Sequence, residues 1–433
     1  MRPSDEDEDP LQPTRRARAS SMARRAVIDI TPLRASRDFR LLWLGELVSH
    51  TGRHITVVAL PYQVFKLTGS VLAVGLIGLA QVVPLVVFSL LGGALADRMD
   101  RRRLLLITQV GLLVTAVLFV WGAAVGRPPL WFLYGVAALS SAVSALDSPA
   151  RTAAIPGLVG RERLPSALAL NQGLIQFSDI AGPALGGVII ARFGLVWAYG
   201  VDAISFLAAI VAIAAMRPMP VERSGPPRPV LASVQEGFAY LKGRRVLQST
   251  FFIDLNAMIF GMPVALFVPL AERTFHVGPA GLGLMYAAPA TGALLGVLLT
   301  GWVRHVRHQG RAVLWAVAVW GLAIVAFGLS TEAFVLALVF LGIAGAADMV
   351  SAVFRSTILQ GTVPDSLRGR LSAIHIMVVV GGPRLGDVEA GLVAQLTSPA
   401  FSVISGGAAC VVGVLVIAAT VPAFRRYHAG EPA

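Results

Sequence analysis

The chain has 433 residues, of which 56% are hydrophobic and only 14% are charged; its mean hydropathy is +0.73 and its formal net charge is +12. Soluble domains carry about 25% charged residues, so this composition excludes a soluble protein and indicates an integral membrane protein. The single cysteine, Cys410, excludes a disulfide framework and a thiolate metal cluster. The basic residues stand between apolar segments, which argues against a nucleic-acid-binding surface.

The first 36 residues are polar, acidic near Asp5 and basic further on. No cleavable signal peptide is predicted, because the apolar run that follows is too long for a signal sequence. The segment 1–36 is predicted to be a disordered cytoplasmic tail. An alternative role for its arginines is contact with anionic lipid headgroups.

A helix needs about 20 apolar residues to cross the hydrocarbon core of a membrane. Twelve segments satisfy this requirement, and the fold class expected is therefore an all-α membrane protein with twelve transmembrane helices. The predicted spans are 40–65, 71–96, 104–125, 130–155, 166–190, 195–216, 246–271, 280–303, 312–329, 333–360, 371–396 and 399–422.

The segment 217–245 contains five prolines and is predicted to be a cytoplasmic linker between two halves. The division expected is an N-terminal six-helix bundle at 37–216 and a C-terminal six-helix bundle at 246–426. The last residues, 427–433, form a second cytoplasmic tail.

Basic residues test the number of spans, because they accumulate in cytoplasmic loops. With the N-terminus inside, most of the 36 basic residues fall on the cytoplasmic side. The opposite side receives only Lys66, Arg127, Arg192 and Arg273. Both chain ends are therefore predicted to be cytoplasmic.

A weak internal repeat supports the two halves. A shift of 206 positions places Arg98 on Arg304, and a shift of 204 places Arg151 on Arg355. Duplicated bundles are typical of transporters whose halves open alternately to the two sides of the membrane.

Two motifs stand out along the chain. Residues 92–103 read GGALADRMDRRR, a charged turn between two apolar spans, and residues 147–159 read DSPARTAAIPGLV. The first motif resembles the loop between helices 2 and 3 of the major facilitator superfamily. Together with 164–171 and 182–187, the motifs resemble bacterial exporters of the enterobactin-exporter and macrolide-efflux type, the third drug:proton antiporter family.

This resemblance implies two pseudo-symmetric six-helix bundles and a charged cytoplasmic gate that latches the outward-open state. The chain has Asp100 where the superfamily loop usually has glycine, which adds a counter-charge. A simpler interpretation of the loop is a topogenic anchor that follows charge bias alone. The residues expected at the cytoplasmic gate are Gly93, Asp97, Arg98, Arg101, Arg102, Asp147, Arg151, Asp348 and Arg355.

Ionisable residues deep in the predicted spans are expensive and normally face a cavity or a partner. Glu46, His50 and Arg53 are spaced i, i+4, i+7 and therefore share one face of helix 1. Such a polar stripe fits a central cavity, and the alternative is a cluster that neutralises itself.

Asp179 lies deep in helix 5 with no basic residue within four positions. It is the first candidate for proton coupling, followed by Glu46 and Asp254. The alternative is a structural, hydrogen-bonded acid.

His50, Arg53, Arg384 and Asp387 are predicted to line the substrate cavity. Guanidinium groups suit carboxylates and electron-rich oxygen ligands, so two deep arginines favour an acidic or catecholate-like substrate over a purely cationic drug.

The sequence lacks the HExxH, GxSxG and GxxxxGK[ST] patterns, so an enzyme or an ATP-driven pump is not expected. No cofactor or metal site is predicted. The expected function is a monomeric exporter of a small siderophore-like or drug-like solute in the cell membrane, exchanging it for protons. An importer or uniporter of a small metabolite, or a membrane sensor derived from a transporter, remains the alternative.

Overall fold

The computed structural model describes residues 29–96, 98–220, 230–298 and 300–428. Within these residues the chain is helical and contains no strand. The predicted tail 1–36 lies outside this part of the chain except for its last eight residues, Asp29 to Ser36.

Twelve long helices follow one another in the order that the sequence predicts. They are α1 Arg37–Thr68, α2 Val71–Ala96, α3 Arg101–Val125, α4 Leu130–Val159, α5 Leu164–Phe193, α6 Leu195–Ala214, α7 Arg245–Phe260, α8 Gly278–Leu298, α9 Gln309–Leu329, α10 Phe334–Thr362, α11 Asp365–Leu396 and α12 Pro399–Thr420. Short helices also occur at Thr31–Ala35, Val230–Leu241 and Pro422–Arg426. The helix Val230–Leu241 lies in the predicted linker and packs on α11.

Ten spans among the described residues are long and apolar enough to cross a membrane. The other two of the twelve predicted spans, α1 and α11, have 32 residues each, long enough to cross the hydrocarbon core. These two helices carry deep charged side chains such as Arg53 and Arg384. The twelve-helix prediction is consistent with this architecture.

Local sequence determines where several helices begin and end. Ser36, Asp100 and Ser398 cap the first turns of α1, α3 and α12, each accepting a hydrogen bond from a backbone N–H three residues later. Gly69 ends α1 in the left-handed region at φ +64°, where a residue without a Cβ atom is least strained.

The outer surface of the bundle is strongly apolar. Large side chains such as Trp131, Trp315, Leu298 and Leu396 are about three-quarters exposed. A soluble protein rarely exposes so much apolar surface, whereas a lipid-facing surface requires it. The interior contains the fully buried Trp320.

The seventh predicted span is broken near its middle. After α7 the chain passes Gly261 and Pro263, makes one 3₁₀ turn at Val264–Leu266, and then regains helix up to Thr274. Proline cannot donate a backbone hydrogen bond, so the helix breaks here. The backbone N–H and C=O groups that lose their helical partners at the break need other partners inside a membrane. Trp320 Nε1 donates to the carbonyl oxygen of Gly261 at 2.7 Å, which supplies one of them.

Helix contacts define two halves. In the first half α1 packs on α5 and α6, and α4 packs on α2 and α3; in the second half α9 packs on α10 and α12, and α7 packs on α11. The halves meet mainly along α2 with α11 and along α5 with α8. The residue limits 37–216 and 246–426 of the two bundles stay a prediction.

The turns between helices lie at two opposite ends of the molecule. The Lys66 end carries the turn between α1 and α2, and the Arg102 end carries the turn between α2 and α3. Glycines allow the halves to approach closely toward the Lys66 end: a Cβ atom on Gly75 would lie 2.4 Å from the carbonyl oxygen of Asp387, and one on Gly283 would lie 2.4 Å from that of Pro183.

A surface ion pair also joins the halves at this end, between Lys66 and Glu272. The Lys66 side chain is about half exposed, so water screens the pair. Lys66→Ala is therefore expected to lower the free energy of unfolding by no more than about 1 kcal/mol. Thermal unfolding of the purified variant checks this, and a loss as large as that of a buried ion pair would contradict it.

Candidate functional site

Two adjoining cavities lie in the interior of the bundle. The first cavity, of about 260 Å³, is bordered by α1, α2, α3, α4 and α11. The second cavity, of about 390 Å³, lies between the halves, with α1 and α5 on one side and the seventh span, α8 and α11 on the other. His54, Val57 and Arg384 line both cavities.

The predicted cavity residues on α1 and α11 meet in this region. His50, Arg53 and Arg384 line the first cavity, and Asp387 lines the second. Arg53 and Arg384 come from different halves, so both halves present a guanidinium group to one space. Guanidinium groups in a cavity suit ligands with anionic or electron-rich oxygens.

Hydrogen bonds hold Arg53 against the wall of the first cavity. Its Nη1 donates to Ser144 Oγ of α4 at 3.2 Å, and its Nη2 lies 2.8 Å from His50 Nδ1. Both contacts stay within the first half of the chain. These two hydrogen bonds fix the position of the Arg53 guanidinium group. They use two of its five N–H donors.

Two polar atoms near the cavities lack a hydrogen-bond partner among the described residues. They are Gln81 Oε1, whose residue lines the first cavity, and the hydroxyl oxygen of Tyr286, whose residue lines the second. Buried polar groups without partners are costly unless water or a ligand satisfies them. Sequence analysis missed both residues, because a glutamine or tyrosine in an apolar span carries no charge signal.

Asp179 has a partner that local sequence does not reveal. His54 Nε2 lies 3.0 Å from Asp179 Oδ1, across the contact of α1 with α5. The two residues are 125 positions apart, so the neighbours of Asp179 in the sequence do not reveal this partner. A usable signal was the spacing of His54 four residues after His50, on the same helix face.

The carboxylate of Asp387 bonds to the backbone of the broken seventh span. Its Oδ1 accepts a hydrogen bond from the backbone N–H of Ala265 at 2.9 Å. Ala265 lies in the 3₁₀ turn of the broken seventh span. Asp387 therefore stabilises the break and also borders the second cavity.

Glu46 lies away from the cavities, in a buried ionic network of the first half. Arg151 Nη2 donates to Asp147 Oδ2 at 2.9 Å, and Arg151 Nε lies 3.5 Å from Glu46 Oε1. Thr108 and Gln109 of α3 donate to Asp147 Oδ1. The network ties α1, α3 and α4 together.

A related network lies in the second half. Arg355 Nη2 lies 2.9 Å from Asp254 Oδ1 and 3.6 Å from Asp348 Oδ1, and His375 Nδ1 lies 3.5 Å from Asp254 Oδ2. Asp348 and Arg355 both belong to α10. The shorter contact is to Asp254 of α7, which is completely buried.

The described residues of the charged loop bond within the first half. Arg101 donates to the carbonyl oxygen of Ala153 at 2.6 Å, and Arg102 donates to the last carbonyls of α6, those of Ile213 and Ala214. Arg98 is exposed, Gly93 lies in α2, and Asp97 lies outside the described residues. Asp100 caps α3 and accepts a hydrogen bond from the backbone N–H of Met219 at 2.8 Å.

Asp202 of α6 is buried between α6 and α1. It accepts a hydrogen bond from Thr56 Oγ1 at 2.5 Å. The cause of its burial is close packing of α6 on α1 at Gly52, where a Cβ atom would lie 2.1 Å from Ser205 Oγ.

Comparisons with known proteins agree with this architecture. The family model described as transmembrane secretion effector matches residues 28–429. The enterobactin exporter EntS of Citrobacter koseri is 28% identical over 404 residues, covering 90% of this chain and 94% of that protein.

Two solved structures share the fold at low sequence identity. The nucleoside transporter NupG (D323A mutant) has a TM-score of 0.74 at 14% identity, covering 89% of this chain and 100% of that one. A bacterial homologue of the iron transporter ferroportin has a TM-score of 0.69 at 15% identity, covering 88% and 98%. These likenesses confirm the predicted fold class.

Sequence, fold and relatives lead to one assignment. The chain belongs to the transmembrane secretion effector family of the major facilitator superfamily, and it is a multi-pass transporter of a small-molecule substrate in the cell membrane rather than an enzyme.

Proposed function

We propose that this transporter exports a small organic solute with acidic or catecholate-like oxygens, by alternating access, in exchange for protons. The observation that carries the proposal is the pair Arg53 and Arg384, which bring guanidinium groups from both halves to one interior cavity. A site shared by two halves changes shape when the halves rock, which links substrate binding to transport. The relatives are named as enterobactin exporters, so enterobactin is the first solute to test.

The orientation proposed follows from the distribution of charge. Basic residues are concentrated toward the Arg102 end, so this end is cytoplasmic and both chain termini lie inside. The conformation described here then has its halves in close contact toward the outer, Lys66 end, as expected for a transporter ready to accept solute from the cytoplasm. Because both halves belong to one chain, a monomer suffices.

We propose that Arg151 and Arg355, with their acidic partners, fix the positions of the helix ends that form the cytoplasmic gate in each half. Asp97, Arg98, Arg101 and Arg102 are proposed to make the latch when that gate closes. Neither Glu46 nor Asp254 is favoured for proton coupling, because each contacts a buried arginine. Asp179 is favoured because it lines the second cavity and its partner is a histidine.

Proteoliposomes with an imposed pH gradient test the coupling. The wild-type protein is expected to accumulate enterobactin against its gradient, and Asp179→Asn is expected to abolish this accumulation while downhill exchange persists. The asparagine keeps the shape of the side chain and removes its exchangeable proton. Unchanged pH-driven accumulation in Asp179→Asn would remove Asp179 from the role.

The same vesicles test charge recognition. Arg53→Ala and Arg384→Ala are each expected to weaken enterobactin binding about 10- to 100-fold, because each removes a charge-assisted hydrogen bond. Arg127→Ala, at an exposed loop, is the matched control and is expected to bind normally. Normal binding by both cavity variants would end the proposal of an anionic or catecholate substrate.

A further inference from the structure

We propose that His54 is a hydrogen-bond switch that links the proton on Asp179 to the position of Arg53. The inference rests on the proposed proton exchange and adds a specific connection between the proton site and the substrate site. It arises from a chain of side chains that runs from α4 through α1 to α5, along the border of the two cavities.

The chain has four links between neighbouring side chains. Ser144 Oγ accepts from Arg53, and Arg53 Nη2 lies 2.8 Å from His50 Nδ1. His50 Nε2 lies 3.3 Å from His54 Nε2, which in turn lies 3.0 Å from Asp179 Oδ1. One ring atom, His54 Nε2, therefore has two partners.

Hydrogen-bond chemistry fixes the state of His50. A guanidinium group can only donate, so His50 Nδ1 must accept from Arg53. A neutral imidazole carries one proton, which then sits on His50 Nε2 and points toward His54. This arrangement places a donor on one side of His54 Nε2.

His54 Nε2 cannot serve both neighbours well. Without a proton it accepts from His50 and leaves an ionised Asp179 without a donor; with a proton it donates to Asp179 and faces the N–H of His50. Two donors or two acceptors at about 3 Å repel, so the junction has two alternative arrangements. A bistable element of this kind is what coupling between two sites requires.

The two arrangements assign opposite states to Arg53. With Asp179 protonated, His54 carries its proton on Nδ1 and accepts from His50, which stays oriented and holds Arg53. When Asp179 releases its proton to water, the single proton of His54 moves through solvent from Nδ1 to Nε2 and is donated to the carboxylate. His50 then loses its acceptor, and Arg53 is released toward the cavity. The transporter therefore binds anionic substrate when Asp179 has lost its proton and binds it less well when Asp179 is protonated. Exchange of substrate for protons requires this alternation.

Packing holds the junction together. A Cβ atom on Gly182 would lie 2.4 Å from His54 Cβ, so this glycine lets α5 approach α1 closely enough for Asp179 to reach His54. Thr51 and Ser178 form a neighbouring hydrogen bond of 3.0 Å between the same helices. Other titratable or charged groups near the junction are Arg384 and Asp387 of α11, Tyr286 of α8, Asp202 of α6 and, on the His50 side, Arg151 of α4.

The same three side chains also have spacings that a metal ion could use. Ligand atoms of His50, His54 and Asp179 lie within 4.8 Å of one another. A metal on His50 Nε2 would need the ring proton on Nδ1, the atom to which Arg53 donates. The neighbouring guanidinium charge also repels a cation, so the geometry favours a proton switch over a metal site.

Nitrogen-15 NMR of the imidazole rings tests the switch directly. The full-length protein, labelled at its seven histidines and held in lipid nanodiscs, is measured across a pH series, with assignments from His50→Gln and His54→Gln. In the neutral ring of His54 the proton is expected to move from Nδ1 to Nε2 as pH rises, and in Asp179→Asn the neutral ring is expected to keep it on Nδ1. His305→Gln, at an exposed position, should leave these signals unchanged.

A His54 tautomer that does not follow pH, or is the same with Asp179→Asn as in the wild type, would overturn the switch. Joint shifts of His50 and His54 on adding Zn²⁺ alone, with no response to pH, would overturn it in favour of a metal site. None of these readouts requires transport. Loss of pH-driven accumulation in Asp179→Asn with an unresponsive His54 would leave the proposed function intact and reject only this inference.

A transport measurement checks the same connection from the other side. His54→Gln is expected to lower about tenfold the ratio of enterobactin transport with an imposed pH gradient to transport without one, because the proton no longer biases Arg53. A ratio unchanged from the wild type, with transport lowered equally in both conditions, would indicate a merely structural role for His54 and contradict the switch.

Discussion

Arg355→Ala is expected to lower the free energy of unfolding by about 3–5 kcal/mol, the range seen when one partner of a buried ion pair is removed. Arg355 is 3% exposed and its partner Asp254 is fully buried, so water cannot replace the lost charge. The variant leaves Asp254 and Asp348 without their shared arginine, and the only basic contact that the described residues retain at Asp254 is the longer one to His375. Thermal unfolding of the purified protein measures the effect.

Two controls distinguish this mechanism from a general loss of packing. Arg311→Ala removes an exposed arginine and is expected to change stability little. The double variant Arg355→Ala with Asp254→Asn removes the stranded charge and is expected to recover part of the loss. A single variant as stable as Arg311→Ala, or a double variant that is no better than Arg355→Ala, would contradict the account.

The second large effect is expected at the contact of α5 with α8. Gly187→Leu is expected to favour an open Lys66 end, because a Cβ atom at this position would lie 2.5 Å from the carbonyl oxygen of Pro279 in the other half. Overpacking typically costs about 1–3 kcal/mol, which corresponds to a shift of about 5- to 150-fold in the balance between closed and open states. Transport is expected to fall because the outer side can no longer close.

Thiol labelling measures this shift. A cysteine at Ser70, which lies between the halves and donates to Gln395, is expected to react faster with a bulky maleimide in Gly187→Leu than in the wild-type background. The native Cys410 is buried and contributes little labelling. Gly173→Leu on the same helix, where a Cβ atom meets nothing within 4 Å, is the matched control. Equal labelling rates in the two variants would contradict the expectation.

The sequence predicts the helices well because membrane spans are specified locally. A long apolar run between charged turns is sufficient, and α2 occupies the predicted residues 71–96. Local sequence does not predict the structure of the broken seventh span equally well. Pro263 predicts a break in the helix. The broken backbone is stabilised by hydrogen bonds with Asp387 and Trp320, which belong to helices distant in sequence.

The candidate site shows the same limit. Helical spacing places His50 and Arg53 on one face, but it cannot show which helix that face meets. His54 and Asp179 are brought together only by the packing of α1 on α5. The internal repeat aligned Arg151 with Arg355, and the structure adds that each pairs with an acid on the first helix of its own half, Glu46 and Asp254.

Distances across the two ends of the molecule test most directly whether two rocking bundles share one interior site. Spin labels replace Arg127 and Glu332 at the Lys66 end, and Arg161 and Gly361 at the Arg102 end, all at exposed positions, with Cys410 replaced by serine. When pH and enterobactin are varied, the two distances are expected to change in opposite directions, with one end closing as the other opens. Active transport with both distances unchanged, or with both ends opening together, would rule out two rocking bundles around one site.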